Sequence, residues 1–148
     1  MESKYILLVE DSQDDVDIIL RILKEHSFSE KAVAVIDGVE AIDFLLAKGK
    51  YLKRYPVTLP VVIMLDLKLP RMNGVELLQR IRADRRTKFI PVVMFTSSKQ
   101  DRDVLDCYTA GANSYIRKPD TFEKFTEAVI QIANYWLQWN EITQADKE

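Results

Sequence analysis

The sequence predicts an α/β protein built on a doubly wound, five-stranded parallel sheet. Short apolar runs alternate five times with amphipathic segments, and glycine or proline residues fall at the boundaries between them. Strands covered by helices on both faces consist of such unbroken apolar runs. Strands separated by helical segments of this length favour parallel pairing through right-handed crossovers.

Five short, mostly aliphatic runs are the predicted strands, and the fifth is the weakest. They are Tyr5 to Val9, Ala32 to Ile36, Val61 to Leu65, Pro91 to Phe95 and Ser114 to Arg117. After each strand, apolar residues recur three or four positions apart, as they do on one face of a helix. These residues are Val16, Ile19, Leu20 and Leu23; Val39, Ile42, Leu45 and Leu46; Leu77, Leu78 and Ile81; Val104, Cys107 and Tyr108; and Phe122, Phe125, Val129, Ile132, Ala133 and Trp136.

Length and composition limit the kinds of protein this can be. With 148 residues, 47% of them hydrophobic and 30% charged, we expect one globular domain spanning 1–148, with a core of about 4–138 and a short tail, 139–148. A net charge of −2 gives no general attraction to nucleic acid or to an anionic membrane, so neither is an expected partner. No apolar stretch approaches the ~18 residues that span a bilayer. The chain has a single cysteine, Cys107, and we expect its thiol to pack in the interior. A lone cysteine cannot form an internal disulfide, which favours a reducing compartment, the cytoplasm.

Acidic side chains follow two of the predicted strands. Glu10 and Asp11 come directly after the first strand, and Asp66 follows the third. Because ligands of an open parallel sheet bind beyond the carboxyl ends of its strands, these residues are expected at one site. Three carboxylates there would repel each other unless a cation lay among them, and oxygen ligands alone favour Mg²⁺, with Mn²⁺ as a substitute. Each acid taken singly could instead be a loop carboxylate or a helix cap.

A hydroxyl group and a lysine follow the other two strands of this edge. The fourth strand is followed by Thr96 and Ser97, and the fifth by Lys118 and Pro119. Lys118 taken singly would be read as a solvated loop lysine. The joint occurrence of acids, hydroxyl and lysine at four strand ends favours one site.

Together these segments resemble the receiver domain of two-component response regulators. The segments that carry the resemblance are Glu10-Asp11, Met64-Leu65-Asp66-Leu67 with Pro70 and Gly74 following, Phe95-Thr96-Ser97, and Tyr115-Ile116-Arg117-Lys118-Pro119. Thr96 lies 30 positions and Lys118 52 positions after Asp66, as in that family. The resemblance covers about residues 4 to 138 and implies the flavodoxin-like (βα)5 receiver fold.

Two further features are similar to the stand-alone regulators paired with cyanobacterial phytochromes. One is the extra length before the third strand, in the segment Lys48 to Pro60, which contains Lys53-Arg54-Tyr55-Pro56. The other is the aromatic ending Tyr135-Trp136-Leu137. We interpret the segment Lys48 to Pro60 itself as a solvated helix end and loop.

The resemblance implies a phosphoacceptor site. Asp66 would be the nucleophile that takes a phosphoryl group from the phosphohistidine of a histidine kinase. Asp11, Asp66 and the backbone carbonyl of Lys68 would bind Mg²⁺ directly, and Glu10 would bind it through water. The metal would neutralise the charge that develops during phosphoryl transfer.

The other implied roles concern the bound phosphoryl group and its effects. Lys118, Thr96 and the backbone N–H groups of Leu67 and Ser97 would bind its oxygens. A cis peptide between Lys118 and Pro119 would turn the lysine toward the site. Thr96 and Tyr115 would act as the switch, because the hydroxyl is drawn inward and the aromatic ring follows.

The resemblance implies that phosphorylation changes the surface formed by the fourth helix, the fifth strand and the fifth helix. Only about ten residues follow position 138, too few for an output domain, so the regulator is expected to act through protein–protein contacts. We expect a homodimer, with Tyr135 and Trp139 contributing to its interface. Its expected kinase is of the phytochrome type. Apart from its own phosphorylation and dephosphorylation, no enzymatic activity is expected.

Two other functions fit parts of the pattern. A phosphatase of the haloacid dehalogenase type also places a nucleophilic aspartate after a parallel strand and uses Mg²⁺, but it needs a second aspartate where this chain has Lys68. A receiver-like interaction module that is never phosphorylated would keep the fold alone. Such modules usually lose an acid, the hydroxyl or the lysine, and here all are present.

Overall fold

The five predicted strands form a single parallel sheet. The computed structural model of the protein describes residues 4–28 and 31–143. Its strands are β1 Ile6–Val9, β2 Ala32–Val35, β3 Val62–Leu65, β4 Val92–Thr96 and β5 Ser114–Arg117. They lie in the order β2-β1-β3-β4-β5, with every neighbouring pair parallel. The predicted strands are therefore confirmed to within one residue at each end.

An α-helix follows each strand, as predicted. The helices are α1 Gln13–Glu25, α2 Gly38–Leu46, α3 Gly74–Ala83, α4 Asp101–Ala110 and α5 Phe122–Asn134. A 3-10 helix, Gly49–Arg54, comes after α2, and a π-helical turn, Tyr135–Trp139, continues α5. The doubly wound (βα)5 fold is confirmed.

The side chains of β1 show why its sequence is an unbroken apolar run. Ile6 and Leu8 pack into the layer that holds α1 and α5, whereas Leu7 and Val9 pack into the layer that holds α2, α3 and α4. All four are buried. Because both faces of the strand are covered, no position on it is left for a polar side chain.

Capping side chains fix where the helices begin. In four helices the N-cap side chain accepts a hydrogen bond from the backbone N–H three residues later. The N-cap residues are Ser12, Asp37, Asn73 and Thr121. The start of α3 also lies directly against the end of β3, since a Cβ atom on Gly74 would be 2.5 Å from the backbone oxygen of Asp66. Glycine is required there by the close approach of two backbone segments.

The connection between α2 and β3 is more ordered than expected. Tyr51 packs edge-on against Phe44, with ring centroids 5.2 Å apart. The Arg54 guanidinium lies 3.6 Å from the centroid of the same ring, and its Nε donates to the backbone oxygen of Phe44 at 3.0 Å. The interpretation of the segment as a solvated helix end and loop fits its exposed lysines but not Tyr51 and Arg54, which pack onto α2.

The cis peptide expected before Pro119 is also absent. Among the described residues, the one cis bond joins Tyr55 and Pro56. Lys118 reaches the acidic site without it, as its contacts show below. Residues 144–148 of the predicted tail lie outside the described part of the chain. Within that part, no helix combines the length and the apolar character needed to cross a membrane.

Candidate phosphoacceptor site

Three carboxylates meet where β1 and β3 end. Glu10 and Asp11 follow β1, and Asp66 follows β3, its neighbour in the sheet. The register continues past the strands, because the Asp66 N–H donates to the backbone oxygen of Val9 at 3.0 Å. One carboxylate oxygen from each acid lies within 4.8 Å of the other two. The sequence prediction that these acids share one site is confirmed in its geometry.

The electrostatics of this cluster favour a cation. Glu10 is buried, and burial together with the neighbouring Asp66 raises the pKa of its carboxyl group to about 7, although Lys118 acts in the opposite direction. Asp11 is exposed and therefore accessible from solvent. An all-oxygen donor set of this size fits a hard divalent ion such as Mg²⁺ or Mn²⁺. Glu10, Asp11 and Asp66 are the residues that would hold it.

Lys118 lies inside the same cluster, and its side chain is only 8% exposed. Its Nζ donates to Glu10 Oε1 at 2.5 Å, to Asp15 Oδ2 at 2.7 Å and to Asp66 Oδ2 at 3.4 Å. Burial alone would lower the pKa of this ammonium group, but the bonds to Asp15 and Glu10 and the charge of Asp66 outweigh burial and raise it. Lys118 therefore stays charged beside Asp66.

Backbone and hydroxyl donors complete this edge of the sheet. The N–H of Leu67 donates to Asp66 Oδ1 at 2.7 Å. Thr96 ends β4, the other neighbour of β3, and is buried, while its Oγ1 accepts the Ser98 N–H at 3.4 Å. Ser97 is exposed at the start of the following loop. Their contacts with a phosphoryl group remain predictions.

Tyr115 connects β5 to the loop that follows Thr96. Its ring is half-buried and packs beside the layer of α3 and α4. The phenol O–H donates to the backbone oxygen of Ser98 at 3.2 Å. Tyr115 is thereby bonded to the loop that follows Thr96, and the switch role of the two residues remains a prediction.

Asp15 also belongs to this site, although its position in the sequence did not predict it. Asp15 belongs to the acidic first turn of α1, where carboxylates are common because they interact favourably with the helix N-terminus. The signal that could have identified it is its place in the chain, because α1 begins two residues after Asp11 and its first turn therefore stays beside the carboxyl end of β1.

Lys68 lies in the loop between β3 and α3 and is exposed. Its carbonyl as a metal ligand remains a prediction. A haloacid dehalogenase phosphatase would need a carboxyl group at this position as its general acid and base. The side chain here is a cation, and the phosphatase alternative is not favoured.

A doubly wound sheet with an acidic, lysine-bearing pocket at its carboxyl edge defines a phosphoacceptor signalling domain. The chain belongs to the response regulator receiver domain family, whose model matches residues 6–130. It is a phosphoacceptor switch of two-component signalling.

Several known proteins are similar along nearly the whole chain. The probable methanogenesis regulatory protein FilR2 of Methanothrix harundinacea is 38% identical, over 91% of this chain and 84% of its own. Response regulator Rcp1 of Synechocystis is 35% identical, over 91% of this chain and 90% of its own. The Mn(2+)-bound form of Rcp1 superimposes with a TM-score of 0.85 at 33% identity, covering 95% of this chain and 99% of that one.

Among solved structures, the phosphorylated cyanobacterial phytochrome response regulator RcpA is 32% identical. It superimposes with a TM-score of 0.88 and covers 97% of this chain and 100% of its own. The resemblance to cyanobacterial phytochrome response regulators is thereby confirmed.

Proposed function

We propose that Asp66 is the residue that accepts the phosphoryl group. The observation that carries this proposal is the surroundings of its carboxylate: Oδ2 faces the Lys118 ammonium at 3.4 Å, and Oδ1 accepts the Leu67 N–H at 2.7 Å. Its side chain is 12% exposed, so an incoming phosphoryl donor can reach it. The Glu10 side chain is only 2% exposed and is bonded more closely to Lys118 than Asp66 is, so a phosphoryl donor reaches it less easily.

In the proposed transfer, a carboxylate oxygen of Asp66 forms a bond to the phosphorus of the kinase's phosphohistidine. The phosphorus–nitrogen bond breaks, and its electron pair returns to the ring nitrogen; because the other nitrogen of the phosphohistidine ring already carries a proton, the imidazole leaves as a neutral ring. The product is an acyl phosphate on Asp66. The protein thus acts on itself and has no separate substrate to turn over.

Glu10, Asp11, Asp66 and the carbonyl of Lys68 are the groups that would hold Mg²⁺. Bound there, the ion supplies neutralisation of the charge on the phosphoryl oxygens. Lys118 offers a further positive charge to one oxygen. Thr96 and the N–H groups of Leu67 and Ser97 offer hydrogen bonds to the others.

The proposed kinase is of the phytochrome type and the proposed location is the cytoplasm. Support for the kinase comes from the cyanobacterial regulators Rcp1 and RcpA, one of which is a phytochrome response regulator by name. FilR2, by its name a probable methanogenesis regulatory protein, is 38% identical to this chain, against 35% for Rcp1. The pairing is therefore tested with a panel of kinases, by measuring which phosphohistidine donor phosphorylates Asp66 fastest.

We propose that the protein signals as a homodimer through α4, β5 and α5. Large apolar side chains are exposed on α4, on α5 and on the π-helical turn that continues α5. They are Leu105, Tyr108, Phe122, Tyr135 and Trp139. Aromatic residues are enriched where interfaces are buried. Light scattering across a dilution series, with and without the phosphoryl mimic beryllofluoride, measures the oligomeric state. A monomer under every condition would contradict the proposed homodimer.

Acetyl phosphate and Mg²⁺ test the phosphoacceptor directly. Intact-protein mass spectrometry should show the gain of one phosphoryl group, and reductive trapping followed by peptide mapping should place it on Asp66. The Asp66→Asn variant should show no gain. Asp14→Asn, which removes an exposed acid from α1, is the matched control and should behave as the wild type. Phosphate gain by Asp66→Asn would show that another residue is the acceptor.

A further inference from the structure

The hydrogen bonds of Lys118 are fully occupied before any phosphoryl group arrives. An ammonium group has three protons to donate. Here three carboxylates accept them, and the two shortest bonds go to Glu10 and Asp15 rather than to Asp66. If Lys118 is to bind a phosphoryl oxygen on Asp66, it must weaken one of these bonds.

The three partners differ in how easily they can release Lys118. The Glu10 side chain is 2% exposed, and a buried carboxylate that loses its partner is strongly destabilised. Asp15 is 27% exposed, so water can replace the ammonium group at its carboxylate. Asp15 also lies on α1, where its backbone N–H is bonded to the N-cap Ser12, so its backbone stays in place when Lys118 moves.

We propose that Asp15 is a positioning residue that holds Lys118 in the unphosphorylated protein and competes with the phosphoryl group for it. The inference rests on the proposed function, in which Asp66 is the phosphoacceptor. Asp15 sets how much of the attraction between Lys118 and the phosphoryl group is available to stabilise the phosphorylated state. It touches neither Mg²⁺ nor the reacting atoms in this role.

Two effects of Asp15 on the phosphorylated state act in the same direction. Its carboxylate takes a hydrogen bond that the phosphoryl group would otherwise receive. Its negative charge also repels the −1.5 to −2 charge that phosphorylation adds. The exposed Asp14, on the same turn of α1, contributes only the second effect, because it is not bonded to Lys118. The pair Asp15→Asn and Asp14→Asn therefore separates direct competition from general repulsion.

The experiment is a titration of the wild type and both variants with beryllofluoride, a phosphoryl mimic, at saturating Mg²⁺. Calorimetry or fluorine NMR measures the dissociation constant. Asp15→Asn should bind about fivefold more tightly than the wild type, the effect expected of one partly exposed ion pair. Asp14→Asn should stay within about twofold.

A second measurement reports on Lys118 itself. In protein with nitrogen-15-labelled lysine, the Nζ resonance of Lys118 should shift in Asp15→Asn and stay unchanged in Asp14→Asn, before any mimic is added. Equal or weaker beryllofluoride binding by Asp15→Asn, with normal binding by the wild type, would overturn the inference. If the wild type itself binds no beryllofluoride, the proposed function fails instead.

Discussion

Arg71 and Asp37 form a bidentate ion pair that connects the loop after Asp66 to the start of α2. Arg71 Nε donates to Asp37 Oδ2 at 2.8 Å and Nη2 to Oδ1 at 3.0 Å. Asp37 is buried and also caps α2 by accepting the Glu40 N–H. Arg71 has a φ of 64°, a left-handed conformation that disfavours side chains. The ion pair therefore holds a strained residue five positions after Asp66, the proposed phosphoacceptor.

Replacing Arg71 should destabilise the fold more than its exposed position suggests. Arg71→Ala leaves the carboxylate of Asp37 buried without its charged partner, so we expect a loss of about 1–3 kcal/mol in the free energy of unfolding. Urea denaturation measures it. Arg80→Ala, at an exposed position on α3, is the control and should lose less than about 0.5 kcal/mol. Equal losses in the two variants would show that the ion pair does not stabilise the loop.

The acidic edge was predictable from the sequence, whereas the Arg71–Asp37 pair was not. Glu10, Asp11 and Asp66 directly follow strands whose apolar runs identify them, and the parallel sheet brings their ends together. Asp37 and Arg71 belong to two different loops, 34 positions apart. Which loop side chains meet depends on backbone conformations that no periodic pattern specifies.

Asp15 was missed for a similar reason. Its contact with Lys118 spans 103 positions and depends on the course of a flexible side chain through a buried pocket. The packing of Tyr51 and Arg54 onto Phe44 likewise follows from a 3-10 helix that has too few residues to display an apolar stripe. The contacts of short segments and long side chains are weakly marked in the amino-acid sequence, whereas buried strands are marked strongly by their apolar runs.

Magnesium binding should depend on Asp11. Asp11→Asn removes one of three clustered charges without creating a cavity, because the side chain is exposed. We expect the affinity for Mg²⁺ to fall about tenfold or more, as measured by calorimetry or by NMR shifts at Asp66. Asp14→Asn should bind Mg²⁺ as the wild type does. If the NMR resonances of Asp11 and Asp66 in the wild type do not shift when Mg²⁺ is added, the proposed Mg²⁺ site is contradicted.

Asp84 should make the stability of the fold sensitive to acid. It is the C-cap residue that follows α3, and its hydrogen bonds with the Arg86 side chain and N–H lower the pKa of its carboxyl group to about 2. Because the pKa in the folded state lies below the unfolded value of about 4, this stabilisation is present above about pH 4 and is lost as the pH falls toward 2.

The variant that tests this is Asp84→Asn. It should unfold more easily than the wild type at pH 7, by about 1 kcal/mol or less, and the difference should narrow as the pH falls from about 4. Arg86→Gln should reproduce most of the loss and of its pH dependence, since it removes the charged side chain but keeps the backbone N–H bonded to Asp84. A difference between Asp84→Asn and the wild type that stays constant with pH would mean that the ion pair is not its source.

Cys107 should be inert in the folded protein. The thiol is buried between α4 and the sheet, and burial, assisted by Asp103 and Asp106, raises its pKa to about 11. The reactive thiolate is therefore scarce at neutral pH, and a reagent also lacks access to it.

Iodoacetamide should label the native protein far more slowly than the urea-unfolded protein. Since this is the chain's one cysteine, total labelling measured by mass spectrometry reports on that thiol alone. Equal rates in the two states would show that α4 leaves the sheet in the native state, because the side chain cannot otherwise be reached.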